Sequence, residues 1–280
     1  MKQFESEFKG YQGQSLFYQT WEPSIKPKAW FIITHGQGEH SSCYQRFVEG
    51  TSQLGFNTLA WDLRGHGRSF GKRGYAHSFY DYVEDFKKFN TDVAQKLIPP
   101  STPLIYVGHS MGGLIQLTYL LQIQTSSLAY QILSNPLLGL SLEVPAIKEL
   151  AAIALNNYFP KVTLGNEILN TQLSSDPDVL AEYEQDILRH HKISSGVYLD
   201  SKQAQKNILD RSNEFKGHLL MLLAQNDPIV SSSTNIDFFN KLKFSQKKLN
   251  IYENRKHELF NDLGREAVFN DINQWCTEVI

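Results

Sequence analysis

A mostly parallel α/β sheet, covered by helices on both faces and broken by one long helical insertion, is the fold this sequence predicts. Three observations carry that reading. Short apolar runs alternate with longer amphipathic stretches through most of the chain. The runs are nearly continuously apolar, as strands buried on both faces are. One interval, Pro136 to Arg211, is too long for an ordinary connection in an α/β unit.

The elements follow in order. Phe4 to Thr20, with Gly10 and Gly13 between alternating polar and apolar residues, predicts an antiparallel hairpin. The runs WFIIT (Trp30–Thr34), TLAW (Thr58–Trp61), LIYV (Leu104–Val107), Ile132–Leu133, LLMLL (Leu219–Leu223) and Leu249–Tyr252 predict strands. Helices are expected over Cys43–Leu54, Ser78–Leu97, Ser110–Gln122, near Thr234–Leu242 and over Glu266–Val279. Within the long interval Ile147, Leu150, Ala151, Ala154, Leu155 and Tyr158 follow helical spacing. The division this suggests is a core of residues 1–135 and 213–280, with 136–212 an inserted helical cap or lid.

Composition excludes several classes. A net charge of −2 offers no attraction to nucleic acid and no polybasic membrane contact. The two cysteines, Cys43 and Cys276, form no metal-spaced cluster, and their scarcity fits a reducing compartment. His190-His191 makes a poor metal pair, because adjacent helical side chains point about 100° apart, and no acid or cysteine cluster supports it. The opening residues contain no apolar signal core, and no apolar run reaches the roughly 18–20 residues of a spanning helix. A soluble, cytoplasmic protein without metal or cofactor is the expectation.

Chemistry enters at LIYVGHSMGG, where an apolar run ends in Gly-x-Ser-x-Gly and turns into a helix. A sharp strand-to-helix turn of this kind lifts the Ser110 hydroxyl clear of the sheet. A nucleophilic serine needs a base, and the base needs an acid to orient it. In this fold class the three follow as Ser, acid, His, each after a later strand. Asp227 ends the strand HLLMLLAQND and His257 lies in the loop just after Leu249–Tyr252. Alone, Asp227-Pro228 is an ordinary turn starter and His257 an ordinary loop histidine. Their joint order and their places at strand carboxyl ends give them weight. Two amides would then hold the oxyanion: Met111, directly after the serine, and Gln37, in the glycine-flanked loop His35-Gly-Gln-Gly-Glu39.

Together HGQGEHSSCY, DLRGHGRSFGKRG, GHSMGG, the Asp227 turn and YENRKHE resemble the monoacylglycerol lipase and lysophospholipase group of α/β-hydrolases, from about Phe17 to Trp275. SSDPDVLAEYEQDILRHHKIS resembles that group's cap. The resemblance implies an α/β-hydrolase fold, Ser110 as nucleophile with Asp227 and His257, and oxyanion donors at Gln37 and Met111. It further implies that Glu39 and His109 lie near the ester's polar head and that Tyr183 projects from the lid toward it. One departure concerns the head: an arginine often found four residues after that glutamate is Cys43 here.

The expected function is hydrolysis of a lipid carboxylic ester through a covalent acyl-enzyme. A serine aminopeptidase of the same architecture is the rival enzyme, with Glu39 as a candidate partner for a substrate amine. A non-catalytic ligand receptor is the rival outside enzymes, and the intact Ser–Asp–His set argues against it. The helix around Pro145–Tyr158 carries more apolar residues than one packed face needs. Ile147 and Leu150 are therefore expected to line an acyl tunnel. Transient contact of the lid with a membrane surface, and a dimer interface, rank after it.

Overall fold

The antiparallel hairpin forms where expected, from β1 (Lys2–Lys9) and β2 (Ser15–Glu22), with Lys2 opposite Glu22 and Lys9 opposite Ser15. The computed structural model describes residues 1–24, 26–123, 129–141 and 144–280, so Leu142 and Glu143 of the expected cap lie outside the described residues. β2 pairs antiparallel with β4 (Asn57–Trp61). β4 pairs in parallel with β3 (Trp30–Thr34), and the parallel sheet continues through β5 (Leu104–His109) and β6 (Ala129–Ser134). Two short strands, β7 (Thr163–Gly165) and β8 (Lys192–Ser194), form a separate antiparallel ribbon. β9 (Gly217–Ala224) and β10 (Lys247–Tyr252) complete the main sheet, whose order is β1-β2-β4-β3-β5-β6-β9-β10.

Successive side chains of a strand point to opposite faces, and here both faces are covered. Phe31 and Ile33 enter a core with Phe47, Phe269 and Trp275; Ile32 enters the other, with Phe79, Phe86 and Leu114. In β9, Leu219, Met221 and Leu223 join one core while Leu220, Leu222 and Ala224 join the other. This is why the strands read as unbroken apolar runs. The chain leaves β3 for β4 on one side and β5 for β6 on the other. The crevice at that reversal, between the carboxyl ends of β3 and β5, is where open α/β sheets place ligands.

Two expectations about the long interval are corrected. The helix Ser195–Asp210, assigned by sequence to the cap, buries Val197, Ala204 and Ile208 in the same core as Phe79 and Leu114. It is part of the layer covering the sheet. Its small residues make its stripe faint in sequence yet permit close packing; a side chain at Gly196 would overlap the His77 carbonyl. The second correction concerns the helix Ala146–Tyr158. Its packed side is Glu149, Ala152, Leu155 and Asn156, resting on Ser195–Asp210, where Tyr198 and Lys202 bond Glu149. Ile147 and Leu150, expected to face inward, are 73% and 62% exposed. Apart from Leu155 the apolar stripe faces outward, because the rest of the seat is Glu149, Ala152 and Asn156.

Candidate active site

β5 ends at His109, and the helix Met111–Ile123 begins one residue after Ser110. Ser110 has φ 49°, in the left-handed region that costs a non-glycine residue roughly 1–3 kcal/mol. The surroundings hold it there. Its N–H donates to the Ser134 carbonyl at 3.0 Å, and its own carbonyl accepts from Gly113 and Leu137 at 3.0 Å each. A side chain at Gly112 would overlap the Thr34 carbonyl, so the helix reaches β3 only because this position is glycine.

The loop after β3 is fixed by hydrogen bonds. The His35 Nε2 accepts from the Leu63 amide at 3.0 Å, so its proton sits on Nδ1, which donates to the Gly36 carbonyl at 2.7 Å. Burial lowers the His35 pKa to about 4, keeping the ring neutral. With the Gly36 carbonyl turned toward His35, the trans peptide directs the Gln37 N–H the other way. Neither the Gln37 nor the Met111 amide donates to an acceptor among the described residues. Gly36 lies against the elbow: a Cβ there would stand 3.1 Å from Ser110 Cβ. The segment Asp62–Ser69 braces this loop from below. Asp62 accepts from the Ser41 and Arg68 amides at 2.7 Å each, and Arg64 forks onto buried Asp85 at 2.6 and 2.8 Å.

Asp227 and His257 meet directly. His257 Nδ1 donates to Asp227 Oδ2 at 2.6 Å, leaving Nε2 with a lone pair. Asp227 Oδ1 accepts from the Ile229 and Val230 amides at 2.8 and 3.0 Å. Burial opposes the Asp227 charge, but His257 and these donors outweigh it and hold the carboxyl below its usual range. Burial also opposes charge on His257, yet the facing carboxylate raises its pKa above the ordinary 6.5. Asn135 splices the three strand ends together. Its side chain donates to the His257 carbonyl at 2.7 Å and accepts from the Ala224 amide at 2.9 Å. His109, beside Ser110, packs its ring 4.6 Å from that of His257. Ser110, Asp227 and His257 are all buried, at 7%, 5% and 3% exposure.

A polar cluster adjoins this set. Glu39 accepts from the Gly36 amide at 2.5 Å and the Tyr44 hydroxyl at 3.0 Å; burial, then the charge of Glu258, push its pKa up to about 7. Burial and the neighbouring His257 lower His109 to about 3, and its Nδ1 donates to the Ser134 carbonyl at 3.0 Å. From the long interval, Tyr183 donates its hydroxyl to Glu258, and Arg189 bonds the other Glu258 oxygen at 2.5 Å. Burial would raise Glu258, but Arg189 outweighs it and holds the carboxyl at about 2. His40, Cys43 and Asp186 bring donor atoms within 4.8 Å of one another. Those atoms are already engaged: His40 with Asp186 at 2.7 Å, and Cys43 Sγ with Arg189 at 3.3 Å.

Ser110, Asp227 and His257, which follow β5, β9 and β10, now have relatives to stand beside. A family model described as serine aminopeptidase, S33 (Hydrolase_4) matches residues 25–264. Human monoglyceride lipase is 30% identical over 272 residues, covering 95% of this chain and 88% of its own. The chain belongs to the monoacylglycerol lipase group of the α/β-hydrolase superfamily. It is a carboxylic-ester hydrolase of that group. The monoacylglycerol lipase of Mycolicibacterium smegmatis is 27% identical over 272 residues, 97% of this chain and 96% of its own. An abhydrolase domain-containing protein of Dictyostelium discoideum is 31% identical over 268 residues, and the chain spans 28% of its length. Among solved structures, the Paleococcus ferrophilus monoacylglycerol lipase superposes with TM-score 0.81 at 24% identity, over 99% of each chain. A soluble variant of the Saccharomyces cerevisiae monoglyceride lipase, in complex with a substrate analog, gives 0.84 at 22%, over 98% of this chain and 94% of that one. At these identities the likeness is one of fold. No helix of the described residues is long and apolar enough to cross a membrane.

Within this lipase-group fold, several site residues escape a reading by sequence alone. Glu258 directly follows His257, which is a signal in retrospect, but Arg189, its partner, is 69 residues away. His35, Asp62 and Asn135 act only by holding backbone, and nothing in their spacing announces that.

Proposed function

We propose that the chain cleaves a lipid monoester, a monoacylglycerol or lysophospholipid, through an acyl-enzyme formed on Ser110. One observation carries the reading: His257 commits its Nδ1 to Asp227 and leaves its Nε2 free, with its ring packed on His109, the residue before a serine held at positive φ. In this scheme Ser110 Oγ attacks the ester carbonyl while His257 Nε2 takes its proton. The Gln37 and Met111 amides receive the oxyanion, and their lack of other acceptors supports that role. His257 returns the proton to the leaving alcohol, and water then releases the acid by the same steps. Asp227 stays ionised, fixing the imidazole and supporting its cation.

Residues 136–194 form the cap in this reading, a shorter unit than the sequence suggests. Glu39, His109 and Tyr183 bound the polar side of the site. The names of the curated relatives support a glyceride ester; Bacillus subtilis YtpA, named a phospholipase, is 28% identical over 251 residues and supports the phospholipid alternative. The exposed stripe of Ile147 and Leu150 suits contact with a lipid surface better than a buried tunnel. The aminopeptidase reading is weakened by Arg189, whose charge reaches Glu39 and would repel a substrate ammonium.

The test is a substrate panel of monoacylglycerols, lysophospholipids, p-nitrophenyl esters and aminoacyl amides, with Ser110→Ala as control. Turnover of glycerol or phospholipid monoesters, lost in the control by roughly 10³-fold or more in kcat, is the expected result. Amide turnover exceeding ester turnover would overturn it.

A further inference from the structure

Glu39 and Glu258 are buried carboxylates within electrostatic reach of each other, and both face His257. Two such groups cannot both ionise comfortably without a cation. The loop that supplies Glu39 supplies none: four residues on stands the neutral Cys43. The cation comes instead from the inserted segment. The Arg189 guanidinium bonds Glu258 at 2.5 Å, touches Cys43 Sγ at 3.3 Å and stacks 3.7 Å from the centroid of the Tyr183 ring. It has all but left solvent, with its side chain 8% exposed.

We propose that Arg189 is the positioning residue that completes this active site from the cap, supplying beside Cys43 the cation that the core itself lacks there. The charge set around His257 is then balanced only while the cap is seated. Lifting the cap withdraws Arg189 and Tyr183 together and leaves Glu258 with Asn261, which donates to it at 2.9 Å. The groups facing Glu258 include Arg189 and Tyr183 from the cap, Glu39, Cys43 and Tyr44 from the loop after β3, His109 from β5, and its own neighbour His257. Only Arg189 among them carries a permanent positive charge. Its loss leaves an extra negative charge opposite the imidazole.

This inference rests on the serine-hydrolase reading, and the experiment separates the two. The second-order rate of Ser110 labelling by a fluorophosphonate is measured against pH for wild type, Arg189→Met, Arg189→Lys and the double variant Cys43→Arg/Arg189→Met. Failure of the wild type to label would sink the hydrolase reading and this inference with it. With wild-type labelling present, Arg189→Met should be about tenfold slower at neutral pH, with the acid limb moved up by about one pH unit. The lysine variant should fall between, and the double variant should return the limb toward its wild-type position. A uniform slowing with an unmoved limb in Arg189→Met would show packing only and overturn the proposal. Should Arg189→Met not fold, Arg189→Gln decides: a wild-type limb at reduced rate overturns it, an upward shift supports it. A double variant that folds and stays at the Arg189→Met limb also overturns the cation argument.

Discussion

The inserted segment sets buried polar groups beside the candidate site and exposes one apolar stripe on its outer side, while Leu173 and Val179 form a small buried apolar cluster of their own. Toward the core it presents Tyr183, Asp186, Arg189 and His190, hydrogen-bonded to Glu258, His40, Cys43 and the Gly38 carbonyl. Toward solvent it presents Ile147, Leu150 and Ile187, the last 91% exposed. Directional polar bonds are worth little net in water, because water offers replacements. Apolar surface, by contrast, gains about 25 cal/mol per Å² when it leaves water. The difference teaches where each contact would find its advantage under the proposed function: the inner face in geometry beside Ser110 and His257, the outer stripe in contact with a lipid surface.

The largest effect is expected at the proposed catalytic pair, Asp227 and His257. Asp227→Asn should lower kcat by about 10²–10⁴-fold while the fold persists. The sign of the pH change is fixed. Asp227 raises the His257 pKa, and His257 must be neutral to act, so the wild-type acid limb of kcat/KM lies above 6.5. Removing the carboxylate's charge should move that limb to lower pH. An upward shift, or a harmless substitution, would mean that another acid partners the histidine.

Next comes the seam itself. Gly38 sits at φ 83°, and a side chain there would overlap the His190 carbonyl. Gly38→Ala should therefore cost roughly 1–3 kcal/mol in backbone strain and displace the cap from the loop that carries Gln37. We expect kcat/KM to drop by about tenfold, with a lower melting temperature. Full activity in a destabilised variant would show that the seam serves stability alone.

The same contrast explains what the sequence disclosed. β3 and β5 are legible because WFIIT is buried throughout and LIYV alternates buried Ile105 and Val107 with half-buried Leu104 and Tyr106 packed on the other core, and the Gly-x-Ser-x-Gly turn follows from close packing against β3. Asp227 and His257 are legible by order along the sheet. The cap is not. Its helical stripe, Ile147 to Tyr158, looks like a core-facing surface because periodicity gives the spacing of a face and not its direction. Ser195–Asp210 fails in the other sense: Val197, Ala204 and Ile208 bury themselves in the core between small and polar residues that dilute the pattern. Arg189 has no local signature at all. Its meaning depends on Cys43 and Glu258, which reach it only in three dimensions.

The smallest effects on stability and on soluble-ester turnover are expected on the outer face. Ile147→Ser with Leu150→Ser should change stability by no more than about 0.5 kcal/mol, since neither side chain is buried. Turnover of a short soluble ester should also hold. Binding to phosphatidylcholine vesicles, measured by co-sedimentation, should weaken by about tenfold or more. Equal loss on soluble and vesicle-borne substrates would place this stripe in the catalytic path and undo the division between the faces.

Ser110 has a consequence of another kind. At φ 49° the backbone prefers a residue without a side chain, so Ser110→Gly should fold more stably than the parent even as it abolishes turnover. Selection for heat resistance alone would therefore favour an inert protein at this position. The serine persists only where turnover is under selection, and a lineage freed from that demand is expected to lose it early.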